Sequence, residues 1–349
     1  MNAALLPDDW RECESRLPSS NAAMKPVSLV PLITLAFVLG LSAAPAEKLV
    51  KPLEVRTVYA NGKHNAFTAL RRFQGDLYLA FRSGDAHNSA TADVLVLRSK
   101  DGKAWTQAYK LDVAKDDRDP QFVVTDKRLF LYCPAMNGAT LTTWLTYTDD
   151  GKTWSKPEAV YEPQFILWKP IVHDGTFYAA AHKKDETGGG KGRAVHLVKS
   201  ADGIKWEKIS LIRAGNWESE TTMFFDAKHH ATAFLRQKYG SPQAQILESD
   251  PPYAEWKSRP ADAPHFSGHS VHTFRGVTYL LSRALVAGKT TGSRIYVFAG
   301  GKLTPYCDLP SGGDCAYLEA VEDGPNMLVS YYSTHEGTTN IYLAVVPLK

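Results

Sequence analysis

The stretch Ser99–Trp105 (SKDGKAW) decides the fold, because the chain repeats it at a regular interval. Two further copies follow, Thr148–Trp154 (TDDGKTW) and Ser200–Trp206 (SADGIKW). A weaker fourth copy, Ser249–Trp256 (SDPPYAEW), brings the spacings between successive tryptophans to 49, 52 and 50 residues. A turn motif with a period near 50 residues predicts a β-propeller that contributes one motif per blade.

Each residue type in the motif suits a tight hairpin. Ser and Asp side chains bond to nearby backbone groups, and Gly adopts the positive φ that such a turn requires. The Trp supplies apolar area that covers the turn. The segments before the three copies alternate as strands do, at residues 93–97, 142–147 and 194–198. We therefore interpret each copy as the outer hairpin of a blade, which builds the fold and carries no chemistry.

The inner hairpins set the number of blades. Each combines an apolar run, a polar or glycine-containing turn and a second apolar run. Six such hairpins occur, at residues 67–81, 121–132, 170–180, 221–235, 271–281 and 317–331. A lone strand at residues 52–60 precedes them, and we expect it to complete the last blade and close the ring. The prediction is an all-β, six-bladed propeller with four antiparallel strands in each blade.

The domain prediction separates a leader from a single propeller domain. Met24 and Lys25 are followed by an apolar run from Val27 to Leu41 and then by small residues up to Ala46. This pattern is typical of a cleavable secretory signal peptide rather than of a membrane span. We therefore expect residues 1–46 to be a leader and residues 47–349 to form one domain that is secreted or periplasmic.

The charge and the cysteine content of the chain limit which partners, cofactors and disulfides we expect. The whole chain has a formal charge of +3 and no basic cluster, so nucleic acid is not an expected partner. We also expect no stable membrane insertion after leader removal. No metal-ligand spacing appears, and we expect neither a metal nor another cofactor. Cys307 and Cys315 flank a short turn and could form a disulfide, but the sequence leaves that open.

Polar residues recur at corresponding places in the blades, where inner strands begin or their partners end. In a propeller these positions surround one mouth of the central channel, where polar side chains are the natural candidates for binding and catalysis. The candidates in chain order are Asn65, Arg82, Asp85, Arg118, Asp119, Trp168, Glu220, Arg236, Arg283, Asp314 and Tyr317.

The repeated hairpins resemble the Asp boxes, or BNR repeats, of the sialidase superfamily. The usual box reads S-x-D-x-G-x-x-W, and the copies here are one residue shorter between Asp and Trp. The resemblance covers residues 50 to 349 as architecture. Asp boxes also occur in non-enzymatic propellers, so they indicate fold more strongly than function.

The resemblance implies roles for several of these residues. Glu220, followed by an apolar strand and Arg236, matches a sialidase pattern in which the arginine grips the substrate carboxylate. Tyr317 lies where the family has its nucleophilic tyrosine, with Glu220 as the base that activates the phenol. For the acid that protonates the leaving oxygen we take Asp85, with Asp93 as the second choice.

One departure from the family concerns its arginine triad. Sialidases begin the first blade with Tyr-Arg-Ile-Pro, whereas this chain has Asn65–Thr68 (NAFT) at the aligned stretch. Arg82 could reach the same space, and Arg283 or Arg294 could serve as the third arginine.

A second, weaker resemblance lies in Arg118-Asp119-Pro120, which is similar to a motif of five-bladed furanosidases. Those enzymes lack Asp boxes and their nucleophile motif is missing here, so we reject that clan and keep Asp119 as a site residue.

The expected function is a sialidase-like exo-glycosidase that hydrolyses a terminal, acidic sugar with retention of configuration. Arginines 82, 118, 236 and 283 would hold the acidic group, and Trp168 would stack on the sugar or pack in the core. Two alternatives stay open. One is a non-catalytic propeller that binds carbohydrate or protein, and the other is a polysaccharide lyase that uses His269 or His335.

Overall fold

The computed structural model describes residues 49–349 except 139, 185–192, 238–243, 264 and 287–288. The expected leader, residues 1–46, lies outside the described residues. Every regular element of the described part is a β-strand. None of the described residues forms a helix long and apolar enough to cross a membrane.

The strands form six antiparallel sheets arranged as blades. A lone first strand is β1 (Glu54–Tyr59). Blade one contains β2 (His64–Phe73), β3 (Asp76–Gly84), β4 (Asp93–Ser99) and β5 (Thr106–Leu111). Blade two contains β6 (Asp116–Asp117), β7 (Gln121–Val124), β8 (Leu129–Asn137), β9 (Thr140–Thr148) and β10 (Glu158–Val160). Blade three contains β11 (Ile166–His173), β12 (Thr176–Lys184), β13 (Arg193–Ser200) and β14 (Glu207–Ala214).

The remaining three blades follow the same order. Blade four contains β15 (Glu218–Phe225), β16 (Ala231–Gln237), β17 (Ala244–Ser249) and β18 (Lys257–Pro260). Blade five contains β19 (Ser270–Phe274), β20 (Val277–Val286), β21 (Lys289–Ala299) and β22 (Lys302–Leu309). Blade six contains β23 (Cys315–Asp323), β24 (Asn326–Ser333) and β25 (Asn340–Pro347). The predicted six-bladed propeller is thus confirmed.

The first strand of the chain closes the ring. β1 pairs antiparallel with β25, with Glu54 opposite Val345 and Thr57 opposite Tyr342. Blade six is therefore four-stranded only because it takes its outermost strand from the other end of the domain. This confirms the expected closure, which removes the exposed edges that an open sheet would have.

The Asp boxes have the predicted local structure. In the first copy, Ser99 Oγ accepts a hydrogen bond of 2.9 Å from the Gly102 N–H, and Asp101 Oδ1 accepts one of 2.8 Å from the Lys103 N–H. Gly102 has a φ of 71°, and the indole of Trp105 donates back to the Gly102 carbonyl at 3.1 Å. The boxes at 148–154 and 200–206 repeat the Ser/Thr and Asp contacts.

The apolar core lies between neighbouring blades. One buried cluster, for example, joins Leu79 and Phe81 of blade one to Leu328 and Leu343 of blade six. Similar clusters join the other neighbours, such as blades three and four through Leu197 and Leu235. Each sheet is therefore buried on both faces, which explains why its inner strands read as nearly continuous apolar runs.

Cys307 and Cys315 do not form the disulfide that the sequence left open. Both are buried, free thiols, as is Cys133.

Candidate active site

Irregularities in the innermost strands create the site. In blades one, three, four and six, two residues of the inner strand face a single residue of the next strand. The extra residues are Phe67–Thr68, Lys169–Pro170, Ser219–Glu220 and Tyr317–Leu318. Such bulges break the regular alternation of side chains and redirect selected ones. They occur at equivalent levels of four blades, so their side chains converge at one end of the channel.

In blade two, a gap in the inner strand redirects side chains as the bulges do in those four blades. Asp117 pairs with Ala135 and Gln121 pairs with Tyr132, while Arg118, Asp119 and Pro120 lie between β6 and β7. Proline lacks the N–H that a ladder needs, and Asp119 has a φ of 43°. The interruption leaves Arg118 and Asp119 free of the alternating strand pattern.

Glu220 forms the centre of the site. Its Oε1 accepts a hydrogen bond of 2.8 Å from the Tyr317 hydroxyl and one of 3.0 Å from Arg236 Nη1. Its Oε2 accepts a bond of 2.7 Å from the Gly268 N–H. Residues from blades four and six, together with the segment before blade five, thus meet on a single carboxylate. The proximity of Glu220, Arg236 and Tyr317 that the expected mechanism required is present.

The charge state of this group follows from its contacts. Burial alone would raise the pKa of Glu220, but the charge of Arg236 and the hydrogen bonds from Gly268 and Tyr317 lower it to about 2. Burial and the neighbouring Glu220 charge raise the pKa of the Tyr317 phenol well above its ordinary value. At neutral pH the carboxylate is ionised and the phenol keeps its proton, so the phenol is the hydrogen-bond donor.

The backbone at Tyr317 is unusual. Ala316 has a φ of 144° and Tyr317 a φ of 50°, which are conformations that residues with side chains rarely adopt. The hydroxyl of Thr68 donates to the Tyr317 carbonyl at 2.6 Å, and the Phe67 ring lies 4.6 Å from the Tyr317 ring. These contacts fix the tyrosine with its hydroxyl directed at Glu220.

Asp119 is a buried carboxyl whose charge interacts with those of Glu220 and Tyr317. Its side chain is 4% exposed, and Oδ1 has no hydrogen-bond partner among the described residues. Burial raises its pKa, and the charge of Glu220 adds to the effect, although Arg118 opposes it. The resulting pKa is about 6, which leaves a substantial protonated fraction in mildly acidic solution.

Asp85 does not have the properties that the acid role requires, and this part of the sequence interpretation is corrected. Its side chain is 64% exposed and pairs with Lys63 at 3.2 Å. Thr91 Oγ1 donates to it at 2.7 Å, and these partners lower the pKa of the Asp85 carboxyl. A general acid needs the opposite shift. The second choice, Asp93, is ion-paired with Lys110 at 2.7 Å in β4.

Asp314 organises a second cluster beside Tyr317. Its Oδ2 accepts hydrogen bonds from His64 Nε2 at 2.9 Å and from His87 Nδ1 at 2.7 Å. Its Oδ1 accepts one of 2.8 Å from the Tyr332 hydroxyl. These donors hold the pKa of Asp314 well below its ordinary value, despite partial burial. His64 and His87 are not among the candidates named from the sequence, although they lie next to Asn65 and close to Asp85 in the chain.

Arg236 of blade four and Arg283 of blade five, both predicted to bind substrate, differ in how many of their N–H groups already donate hydrogen bonds within the protein. Arg283 donates to the Cys315 carbonyl at 2.7 Å, to Ser267 Oγ at 3.2 Å and to the Tyr332 hydroxyl at 3.3 Å. The side chain of Arg236 is 24% exposed, and its Nε is buried without a partner among the described residues. Arg236 therefore has more capacity to bind a ligand.

Three other sequence candidates turn out to hold the scaffold together. Arg82 is fully buried and its Nε donates to Asp116 at 2.8 Å, so it cannot replace the missing triad arginine. Asn65 is also fully buried and its amide donates to Asn61 and to the Thr339 carbonyl. Arg294 forms a two-pronged pair with Asp308, at 2.5 and 2.8 Å. These three predictions are corrected, because the hydrogen bonds of Arg82, Asn65 and Arg294 are made to the scaffold and not to the cluster around Glu220.

Trp168 is likewise a packing residue. It is 2% exposed, and its ring lies 6.0 Å from that of Tyr317 and 5.8 Å from that of His182. Of the two roles considered for it, the structure favours core packing over stacking on a sugar.

The stretch that lacks the triad arginine places an aromatic ring beside Tyr317. Phe67, in the first bulge, has a φ of 64° and packs against Tyr317. The guanidinium of Arg118 lies over this ring, 5.1 Å from its centre. Arg118 is 3% exposed and donates to Asp116 Oδ2 at 3.1 Å and to Asn88 Oδ1 at 3.0 Å. Arg118 thus brings a positive charge to this corner from a different blade.

A buried ionic network lies deeper in the channel, and sequence reasoning missed it. Glu319, two residues after Tyr317, is 2% exposed and is paired with Arg71 and Lys169. His272 Nε2 lies 3.3 Å from the same carboxylate. The charges of Arg71 and Lys169 outweigh the effect of burial and hold the pKa of Glu319 well below its ordinary value. The network joins blades one, three, five and six across the axis.

The histidines considered for lyase chemistry are poorly suited to it. His269 is fully buried, and its Nε2 donates to the Phe234 carbonyl at 2.9 Å. Burial lowers the pKa of His269 to about 4. His335 contacts Ser333 at 2.9 Å and packs on Tyr342. Neither imidazole is directed at the Tyr317 hydroxyl in these contacts.

Comparisons with solved structures agree with the architecture. A protein of unknown function from Dyadobacter fermentans has a TM-score of 0.73 at 20% identity, covering 86% of this chain and 99% of its own. Trypanosoma rangeli sialidase in complex with the inhibitor DANA has a TM-score of 0.67 at 14% identity. That match covers 86% of this chain but only 58% of the sialidase, so the chain spans little more than half of that protein. At these identities the likeness shows the fold alone.

A third similar structure is an α-L-arabinanase. The enzyme from Penicillium chrysogenum, complexed with arabinobiose, has a TM-score of 0.62 at 13% identity, covering 81% of this chain and 93% of its own. No curated protein sequence matches this chain significantly.

The sequence itself matches a family profile over more than half its length. The BNR repeat-like domain covers residues 75–258, which include the three complete Asp boxes and Glu220 with Arg236. Six blades, Asp boxes in their outer hairpins and this match agree with one another. The chain therefore belongs to the BNR repeat-like domain family and has the sialidase-like propeller fold.

Proposed function

We propose that this protein is a retaining glycoside hydrolase that removes a terminal acidic sugar, with Tyr317 as nucleophile, Glu220 as its base and Asp119 as the general acid. The single observation that carries the proposal is the hydrogen bond of 2.8 Å from the Tyr317 hydroxyl to Glu220. A phenol is a poor nucleophile near neutral pH unless a base accepts its proton during attack.

The first step transfers the sugar to the enzyme. The Tyr317 oxygen bonds to the anomeric carbon while its proton passes to Glu220. The glycosidic carbon–oxygen bond breaks, and the leaving oxygen takes the proton of Asp119. Glu220, Tyr317 and Asp119 together keep a single negative charge, which moves from Glu220 to Asp119, so no isolated phenolate forms in the buried pocket.

The second step reverses these transfers. Water attacks the anomeric carbon and gives one proton to the Asp119 carboxylate. The Tyr317 oxygen departs and recovers its proton from Glu220. Two displacements at the same carbon retain its configuration.

The preference for an acidic sugar rests on Arg236. The buried Nε of this residue has no partner among the described residues, although the guanidinium is partly exposed beside Glu220. A substrate carboxylate would supply the missing acceptor, and an arginine fork suits that group. Arg283 adds positive charge near Asp314.

The test is a screen of the protein against labelled glycosides that include sialosides, uronides and neutral sugars. We expect turnover of an acidic exo-substrate, with Tyr317→Phe and Glu220→Gln each reducing kcat by roughly 10²–10⁴-fold. Full turnover by both variants would contradict the mechanism. Binding of glycan without any turnover would instead indicate a non-catalytic propeller, and an unsaturated product would indicate a lyase.

A further inference from the structure

Two hairpin turns of neighbouring blades bring three metal-binding side chains together at the opposite end of the channel from Glu220. His173 and Asp174 lie at the turn between β11 and β12, and His229 lies at the turn between β15 and β16. His173 Nε2 is 3.0 Å from His229 Nδ1, and Asp174 Oδ2 is 3.0 Å from His229 Nδ1. The third distance, from His173 Nε2 to Asp174 Oδ2, is 3.7 Å.

The surrounding structure holds these groups in place. Asp174 and His229 have φ values of 48° and 63°, which set the direction of both side chains away from the strand pattern. The His173 ring stacks on Phe225 at 4.5 Å with 15° between the planes. The Tyr253 hydroxyl donates to the His229 carbonyl at 2.8 Å, and the His229 N–H donates to the Asp226 carbonyl at 3.0 Å.

The spacing of the three atoms matches one face of a tetrahedral metal site. Zinc binds imidazole nitrogen and carboxylate oxygen at about 2.0–2.2 Å, which places neighbouring ligands roughly 3.3–3.5 Å apart in a tetrahedron. The observed edges of 3.0, 3.0 and 3.7 Å bracket that range. The side chains of Asp174 and His229 are 67% and 52% exposed, so the fourth position faces solvent and would hold water.

Hydrogen bonding among the three side chains accounts for their arrangement less well than a bound cation does. His229 Nδ1 lies 3.0 Å from both the His173 nitrogen and the Asp174 oxygen. A single Nδ1 proton can be directed at only one of these acceptors with good geometry. A cation at the centre of the triangle would satisfy all three lone pairs together.

The only other such cluster among the described residues, His64, His87 and Asp314, is less suitable for a cation. Its carboxylate already accepts a hydrogen bond from Tyr332, and the Arg283 guanidinium lies 3.5 Å away. A divalent ion there would be repelled by the arginine. No Lys or Arg contacts the ligand atoms of the first cluster in the ion pairs of the described residues.

We propose that His173, Asp174 and His229 form a surface site for a divalent transition ion of the zinc class, which links blades three and four. The donor set of two imidazoles and one carboxylate suits Zn²⁺, Ni²⁺ and Cu²⁺ better than Mg²⁺ or Ca²⁺. Glu220 lies near the start of β15 and the cluster lies beyond its other end, Phe225, which is five residues or about 17 Å along the extended strand. Its role is to join the two blades. The proposal of this site therefore does not depend on the proposed hydrolysis, and the two can be tested separately.

Calorimetric titration of the metal-free protein with Zn²⁺ at pH 7, together with thermal unfolding, tests the site. We expect one Zn²⁺ bound and an unfolding temperature that rises with Zn²⁺ concentration, because only the folded chain brings both turns together. His229→Asn and Asp174→Asn should each lower the affinity by roughly tenfold or more. Asparagine tolerates the positive φ of both positions, so these variants should fold.

His230→Asn is the matched control. His230 is the next residue along the same turn, but its ring contacts Asp250 at 2.7 Å instead of the cluster. This variant should bind Zn²⁺ as the wild type does. Equal affinity in the wild type and His229→Asn, or loss of binding only in a His87→Gln variant, would overturn the proposal. Absence of Zn²⁺ binding and of thermal stabilisation in the wild type would also overturn it.

Discussion

The hydroxyl of Tyr317 lies 2.8 Å from Oε1 of Glu220, although the two residues are 97 positions apart in the chain. Tyr317 belongs to blade six and Glu220 to blade four, so closure of the ring is what places them together. Arg236 donates to the same oxygen at 3.0 Å. The phenol is therefore held as a hydrogen-bond donor to an ionised carboxylate, which is the ground state that an activated tyrosine nucleophile requires.

We propose Asp119, and not Asp85, as the general acid, and variants of the two residues should differ in activity. Asp119→Asn should reduce kcat/KM by roughly 10²–10⁴-fold for substrates with poor leaving groups, because their oxygen needs a proton to depart. Aryl glycosides with good leaving groups should lose far less. Asp85→Asn should keep its activity on both kinds of substrate, since Asp85 is exposed and bonded to Lys63 and Thr91. Steady-state kinetics on a leaving-group series make the comparison, and the reverse pattern would restore Asp85.

The activity should be greatest in acidic solution. The proposed reaction needs Asp119 protonated, and its pKa is raised to about 6, so kcat/KM should fall as the pH rises through that value. It also needs Glu220 ionised, and its pKa is lowered to about 2, so activity should persist down to strongly acidic pH. A pH–rate profile of the wild type and of Asp119→Asn tests this. If the fall above pH 6 persists in Asp119→Asn, another group is responsible for it.

Gly268 should be required for the position of Tyr317. A Cβ atom at Gly268 would lie 2.5 Å from Cδ2 and 2.8 Å from the backbone nitrogen of Tyr317. Gly268 also has a φ of 53°. We expect Gly268→Ala to lose about 1–2 kcal/mol of unfolding free energy to the backbone conformation and about 1–3 kcal/mol more to the clash. Its activity should fall with it, because Tyr317 would be displaced from Glu220.

Gly276→Ala is the control for Gly268→Ala. Gly276 has a φ of 76°, but a Cβ there would meet nothing within 4 Å. This variant should lose only the conformational part of the stability and should keep full activity. Denaturant unfolding and turnover, measured side by side, separate the two effects. Equal losses in the two variants would show that contact with Tyr317 is unimportant.

Arg236 should distinguish acidic from neutral sugars. Arg236→Lys keeps the charge but removes the planar fork, so KM for an acidic substrate should rise by roughly 10–100-fold, equivalent to about 1.5–3 kcal/mol for a charged hydrogen bond. The neutral analogue of the same sugar should be affected much less. Arg213→Lys is a suitable control, because Arg213 lies in the neighbouring blade three and pairs with Glu218 of blade four at 3.2 Å. Equal effects on both sugars would remove the basis for an acidic substrate.

The architecture was predictable because its signals are local. The Asp boxes fix their own turns through contacts within four residues, such as Ser99 to Gly102. The number of inner hairpins then gives the number of blades. The closure by β1 was predicted from the lone strand that precedes the first inner hairpin, and it completes a blade that has only three strands of its own.

The site was predictable only where a polar or charged residue begins or ends an apolar strand. Glu220, Arg236 and Tyr317 met that condition, and the ring brings them together. The sequence could not show that Arg82 is fully buried against Asp116, because pairing across blades depends on the fold. It equally gave no sign that bulges and positive φ at Phe67 and Tyr317 would redirect their side chains.

The choice between Asp85 and Asp119 illustrates the same limit. Asp85 follows the first inner hairpin and Asp119 precedes the second, and both stand near an arginine in the sequence. Burial decides between them, since Asp119 is 3% exposed as a residue whereas Asp85 is mostly in solvent. The signal that was available is Pro120, which interrupts the inner strand of blade two and lets Asp119 leave the strand pattern.

Trapping the enzyme on its nucleophile tests the central claim most directly. A fluorinated acidic-sugar substrate slows the second step more than the first, so the glycosyl-enzyme should accumulate and be visible by intact-protein mass spectrometry. We predict a mass increase equal to one sugar residue, located by peptide mapping on Tyr317 and missing in Tyr317→Phe. An adduct on a different residue, or turnover of the parent glycoside with inverted configuration, would contradict the mechanism.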